Sequence, residues 1–331
     1  MNAFVPESFA EPIVSPDTAT LFRRTPYISP SEYRQTPTAV GTQTLVPGGS
    51  PQAQEAALAA VISRASDWLD LICFHKADGT LAASPTTESG WIKPREEGSL
   101  ALICNYKPIL EVDALAVGPS PQNLANIGAT ASKNITIQDP IIWLQSCGFG
   151  PIFPGSSGYS IGAVGPNGKV YVVWIYVNGY PHTSLAEEAK AGEDVLHVEP
   201  SNPGESKVYG VYENTQLTIH DGANTEVIVV SAIEGLTLKL TAPLAYDHTL
   251  PEAPNTTRVS AVPWAVEQAC ISLTSFLIKN RGSRAMVLPS SPGGGGSPPK
   301  QEDGQAGGMR DFDTAYEILR PFITPFVRSS S

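Results

Sequence analysis

Asn167-Gly168-Lys169-Val170-Tyr171-Val172-Val173-Trp174-Ile175-Tyr176-Val177-Asn178-Gly179 is the stretch whose reading decides the fold class. Asn-Gly tolerates the positive φ angles that a tight hairpin turn demands, and it stands at both ends of the run. Between the two turns, β-branched and aromatic side chains dominate, the composition of a strand. The apolar residues fall on both alternating faces. Such a strand is covered on both sides, by its own domain or by a neighbouring subunit.

Upstream, from Thr80 to Ile142, the apolar period stays at two. Leu100-Ala101-Leu102-Ile103-Cys104 reads as a buried strand, with Asn105-Tyr106-Lys107-Pro108 as the turn after it. Leu110, Val112, Ala114 and Ala116 line one face of a second strand, and Ile141–Leu144 forms a further short one. Gly148 to Gly168 is glycine-rich and reads as a loop. Downstream, residues 183–250 carry strand patterns at Val195–Val198, Gln216–His220, Glu226–Ser231 and Leu236–Leu240. Short strands so closely spaced predict a small barrel or sandwich.

Two helices flank this β-rich centre. Ser50 caps the first, Pro51 opens it, and Leu58, Val61, Ile62, Ala65, Leu69 and Ile72 recur at helical spacing as far as Phe74. Pro263 opens the second, whose apolar stripe is Trp264, Val266, Cys270, Leu273, Phe276 and Leu277. Lys279 and Arg281 suit its negative end, and Gly282 stops it. A third helix, Asp311 to Arg320, follows the proline- and glycine-rich run Pro289–Pro299. A short helix is predicted at Ser31–Gln35, within an otherwise turn-rich N-terminus.

The predicted class is therefore α+β: a small helical core (helices 51–74 and 263–281) with β-hairpins, an all-β insertion and extended N- and C-terminal arms. The segmentation is 1–50 as an extended arm, 51–182 with 251–282 as core, and 183–250 as the inserted β module. Residues 283–310 read as a flexible linker and 311–331 as a C-terminal docking helix and tail.

The 331 residues include 29 glycines and 30 prolines, which disfavours a helical bundle. A net charge of −11 disfavours a grip on nucleic-acid phosphates or anionic lipid. No run reaches the ~20 apolar residues of a membrane-spanning helix. The first thirty residues lack the basic-then-apolar pattern of a secretory leader. Cys73, Cys104, Cys147 and Cys270 form no C-x-x-C pair and read as small buried hydrophobes of a reducing compartment.

The search for chemistry is negative. Gly155-Ser156-Ser157-Gly158 lacks the spacing of an esterase nucleophile, and Gly293–Gly296 lacks the strand that precedes a phosphate cradle. The five histidines never fall at metal-binding helical spacing. His220-Asp221 and Asp247-His248 read as solvated turns. No catalytic residue, cofactor site or metal site is nominated, and the chain is expected not to be an enzyme.

Several stretches, taken in order, together carry a resemblance. Pro26-Tyr27-Ile28-Ser29-Pro30-Ser31-Glu32-Tyr33 leads through Leu45–Ser50 into the helix ending Ala65-Ser66-Asp67-Trp68-Leu69-Asp70. Lys107–Val112 follows, then the β module with Leu217–Glu226 and Leu236–Ala245. The helix carrying Ile278-Lys279-Asn280-Arg281-Gly282 comes next, and Ala315–Phe322 closes the series. In this order, over residues 26–322, they resemble the head–tail adaptor (head-completion, connector) proteins of long-tailed bacteriophages; the motifs are structural, and their order carries the likeness. The β insertion and the long N-terminus depart from the smaller adaptors.

The resemblance implies a virion protein, made in the host cytoplasm, that forms a ring, dodecameric by analogy, below the portal protein. It would contact neck, stopper or tail proteins and pass viral DNA without sequence-specific binding or membrane contact. The proposed interface residues are Phe312, Tyr316, Leu319, Phe322 and Phe326, reaching the portal or a neighbouring adaptor. The competing expectation is a helix folded back on its own subunit. Rival roles are another tail, baseplate or tail-terminator component, or a glycan hydrolase with a carbohydrate-binding module.

Overall fold

The computed structural model describes residues 25–43, 45–74, 79–95, 99–127, 134–145, 166–202, 204–250, 256–280 and 306–323. Residues 1–24, the run 281–305 and Phe326 lie outside them, as do Cys147 and most of the expected loop 148–168. The chain mixes helices with several antiparallel sheets. It divides into two compact units. Of the described residues, 80–181 make up the first, and 25–79 with 182–323 the second. The first unit therefore interrupts the second. Both long helices belong with residues 182–250, so the segment 51–182 expected as a core is shared between units.

The first unit is built on the quoted strand. β1 (Ser84–Ile92), β7 (Val170–Asn178), β3 (Ile109–Ser120) and β4 (Asn123–Asn126) form a sheet in the order β1-β7-β3-β4. β7 pairs antiparallel with β1 from Ser84↔Asn178 to Ile92↔Val170. Its register with β3 slips at two bulges. The turns bracketing β7 are those the Asn-Gly pairs demand: φ is 60° at Asn167, 70° at Gly168 and 99° at Gly179. β2 (Leu100–Ile103), β6 (Ile141–Leu144) and β5 (Ile135–Gln138) form a second, three-stranded antiparallel sheet.

The second unit holds a six-stranded sheet with the order β8-β13-β10-β11-β12-β9. Its strands are β8 (His182–Ser184), β9 (Val195–His197), β10 (Gln216–His220), β11 (Thr225–Glu234), β12 (Thr237–Leu240) and β13 (Arg258–Ser260). The outer strands meet. Leu185 bridges Val198, the Ala186 N–H donates to the His197 carbonyl at 2.8 Å, and the Glu199 N–H donates to the Ser184 carbonyl at 2.8 Å. The sheet thus closes into a small barrel and removes its own open edges. Leu196, Val198, Leu217, Ile219, Val230, Leu238 and Val259 fill it.

Four α-helices are present among the described residues. α1 (Pro30–Gln35) is held by a capping box, in which Ser29 accepts from the Glu32 N–H and Glu32 accepts from the Ser29 N–H. α2 (Pro51–Phe74) buries Leu58, Ile62, Ala65, Leu69 and Ile72, as its periodicity predicts. α3 (Trp264–Lys279) packs on α2, with the Trp68 and Phe276 rings 6.2 Å apart. α4 (Ala306–Leu319) packs on α3. No helix among the described residues is long and apolar enough to cross a membrane.

Three expectations need correction. Residues 25–43 are not a free arm: Tyr27, Ile28 and Tyr33 are almost fully buried within the second unit. Tyr33 donates to, or accepts from, Ser275 at 2.9 Å, and Tyr27 donates to Asp70 at 2.6 Å. Trp264 does not belong to the α3 stripe and is 72% exposed. At ~100° per residue it lies opposite Val266, Leu273 and Leu277. Finally, the last helix begins at Ala306, not Asp311, so five residues assigned to the linker are helical. Two glycines in its first turn hid that start.

Gly118 shows how closely the first sheet is packed. A Cβ there would sit 1.7 Å from the Asn123 carbonyl oxygen, across the β3–β4 turn. Backbone cannot yield as a side chain does. Gly118→Ala is expected to cost about 2–3 kcal/mol, read as a lowered urea midpoint against the parent chain.

Candidate functional site

The densest polar chemistry lies in the second unit, where the N-terminal segment meets the barrel and α3. β13 turns Arg258 inward, and its side chain is almost fully buried. Arg258 Nε donates to Glu32 Oε2 at 2.9 Å, Nη2 donates to the other Glu32 oxygen, and Nη2 also reaches Glu267 Oε1 at 3.0 Å. This places two carboxylates from two helices on one guanidinium from a strand. His220 of β10 approaches Glu32 at 3.4 Å. Burial alone would lower the Arg258 pKa, but Glu32 and Glu267 hold it above its ordinary value. Burial lifts Glu267, and Arg258 opposes that rise without cancelling it.

Next to it, His182 is buried on β8. Its Nδ1 pairs with Ser260 Oγ at 2.9 Å, and its Nε2 faces the Thr25 and Pro26 carbonyls at 3.0 and 3.2 Å. Burial, seconded by the nearby Arg258 charge, pushes His182 down to about 4. A Ser–His pair invites a catalytic reading. This one faces backbone carbonyls where a nucleophile's base would face a carboxylate, and both side chains are sealed from solvent. Its work is to hold residues 25 and 26.

A third polar pin lies beside this cluster, at the β10–β11 turn. His248 is fully buried, with Nδ1 3.1 Å from Asp221 Oδ2 and Nε2 2.8 Å from Glu226 Oε1. Burial works to raise Asp221, yet N–H groups of Asn224 and Ala223, together with His248, hold its carboxyl below the usual value. The adjacent pairs His220-Asp221 and Asp247-His248, read from sequence as solvated turns, are therefore partly structural: His248 is buried, and the side chain of Asp221 is nearly covered. Residues 221 and 248 are too far apart in sequence for their partnership to be read there.

The thiols Cys73, Cys104 and Cys270 are buried and free. Burial pushes Cys104 and Cys270 up to about 12, which leaves them without thiolate character near neutrality. Among the described residues no group of three or more His, Cys, Asp or Glu is placed to hold a metal ion. An open groove of about 680 Å³ beside the start of α2 is lined by Arg34, Val40, Gln54 and Glu55. Arg34 and Glu55 pair with each other there, and Gln54 is committed to the Val46 backbone.

Two apolar surfaces remain. In the first unit, Val170, Val172, Trp174 and Tyr176 are buried on one face of β7, while Tyr171, Val173 and Ile175 on the other are only half-buried. Trp91 of β1 joins that second face, edge-on to Tyr171 at 5.3 Å and 39% exposed. In the second unit, the predicted interface residues are divided. Phe312 and Leu319 are buried, Phe312 with its ring 5.5 Å from Phe276. Tyr316 and Phe322 are half-buried, and Phe326 is outside the described residues. Lys279 of α3 donates to Asp311 of α4 at 2.6 Å. α4 is thus folded back on its own chain, the competing expectation for this helix. No protein family, curated protein or solved structure matches the chain.

Two outcomes test the polar cluster. Glu32→Gln leaves Arg258 buried with a weakened counter-charge, and is expected to destabilise the second unit by about 3 kcal/mol in urea unfolding. His182 gives a pH signature. Between pH 6.5 and about 4 the unfolded chain takes up a proton that folded His182 refuses, so stability falls as pH drops, by up to roughly 3 kcal/mol. The raised Glu267 works in the opposite sense. His182→Gln is expected to shrink the difference between unfolding free energies measured at pH 7 and pH 4.5.

Proposed function

We propose that this chain is a structural virion protein, a head–tail adaptor that forms a ring below the portal, extends the DNA channel and joins capsid to tail. The observation that carries the reading is the second face of the β7 sheet. Trp91, Tyr171, Val173 and Ile175 present a contiguous apolar band that the described residues cover only in part. Completing that cover by a second copy of the chain would stabilise an assembly by roughly 25 cal/mol per Å² of apolar surface removed from water. The order of motifs over residues 26–322 supplies the kind of assembly.

The polar clusters support the same reading. Arg258, His182 and His248 hold segments of the chain together from buried positions, and none is open to a substrate. The finer arrangement, a helical core of α2 and α3 with the barrel as an outer module, suits a subunit that presents rigid surfaces to neighbours. A net charge of −11 suits a channel through which a polyanion must pass without sticking.

Mass measurement of the purified protein, alone and with portal rings, tests this. A ring is expected, formed either alone or on the portal, and Val173→Asp is expected to abolish it while circular dichroism stays unchanged. A chain that stays monomeric with and without portal, or a V173D chain that still assembles, would reject the reading. Immunogold labelling of particles separates the rival virion roles: label at the head vertex fits an adaptor, and label at the distal tail fits a baseplate or terminator component.

A further inference from the structure

The contact between α3 and α4 needs far less chain than joins them. Lys279 is the last residue of α3, and Asp311 lies in the second turn of α4; their side chains meet at 2.6 Å. Ala306 therefore starts within roughly 15–20 Å of Asn280, allowing 1.5 Å per residue along the helix and the reach of the two side chains. About six extended residues would span that gap, and helices packed side by side in bundles are usually joined by about 2–8. The chain supplies residues 281–305. Their composition, with Gly293-Gly294-Gly295-Gly296 and four prolines, contributes no apolar stripe of helical spacing.

We infer that α4 is an exchangeable element: in the assembled ring, it seats on α3 of the neighbouring copy rather than on its own. This rests on the adaptor reading above, and it names the partner of the C-terminal helix as a second copy of this chain. The seat is the same in either case. Phe312, Ala315 and Leu319 cover α3 around Phe276, and Lys279 pairs with Asp311. Only the owner of the helix changes, so exchange costs no contact. Twenty-five residues span at most about 80 Å when fully extended. A subunit of this length is roughly 40–50 Å across. The contour length of the spare chain thus exceeds the step to an adjacent subunit.

Concentration decides between the two states. In a dilute monomer only the chain's own groove is available, and the closed form prevails. In a ring the neighbour's groove comes within the contour length of residues 281–305, and each exchanged helix then links two subunits through the covalent chain. Tyr316, Phe322 and Ile323 stay half-buried in the closed form, so apolar surface is left for a second contact.

Single cysteines make the owner of the helix visible. One full-length chain carries a tag and Lys279→Cys; a second, untagged, carries Asp311→Cys. The two are mixed, assembled and treated with a short bismaleimide, and the parent chains without added cysteines serve as the background. Neither single variant can close on itself, whereas a K279C/D311C chain reports the internal contact. The expected result is a covalent tagged–untagged dimer in the ring fraction, at least tenfold above the monomer fraction, with internal closure of the double variant in dilute monomer. Rings that form normally, give no such dimer and close internally in the double variant would overturn the exchange while leaving the adaptor reading in place. A chain that never assembles, with or without portal, would overturn both.

Discussion

A guanidinium removed from water must find carboxylates, and Arg258 finds Glu32 and Glu267. The second unit is organised around that requirement. Glu32 comes from the short α1, Glu267 from the first turn of α3, and Arg258 from a three-residue strand of the barrel. Each of these elements is weak alone. A six-residue helix is below the length at which helices persist in water, and a three-residue strand has few ladder bonds. Ion pairing in a desolvated place fixes where they go, because any other arrangement leaves a charge buried without a partner.

The first unit is organised by a different constraint, the hydrogen-bonding appetite of β7. With β1 on one side and β3 on the other, its backbone is satisfied and its buried face is sealed by Val172, Trp174 and Tyr176. Its other face is held at half cover. One unit therefore spends polar chemistry on internal fixing, while the other leaves apolar surface available. In the proposed adaptor, that division would supply rigid placement of one region and an adhesive patch on another.

Elements with strong periodicity were legible in the sequence. The stripe of α2, the run of β7 and the strands β10, β11 and β12 follow from residues that repeat at 3.6 or 2. β1 was not legible. Ser84-Pro85-Thr86-Thr87-Glu88-Ser89-Gly90-Trp91-Ile92 has little apolar alternation, and its extended state comes from nine residues pairing with β7. β8 and β13 are too short to signal themselves. Trp264 was placed in an apolar stripe by its type, and its helical angle puts it on the solvent side. The polar clusters were invisible for another reason: Glu32 and Arg258 are 226 positions apart, and no local pattern links them. For α4, amphipathic spacing identified Phe312 and Leu319 as residues that must be covered, and spacing carries no information about which surface does the covering.

The interruption of the second unit by residues 80–181 has a consequence for synthesis. A ribosome makes α1 and α2 long before the barrel and α3 that bury them. Every described residue of the first unit has been made once residue 181 has emerged, and its sheets can form while the upstream flank still waits. Tyr33 meets Ser275 only after 242 further positions have been translated. Closing contacts of such separation is slow, because loop entropy is lost before packing repays it. Nascent chains therefore pass through a stage with one finished unit and an orphan amphipathic helix, the form most in need of a chaperone's shelter.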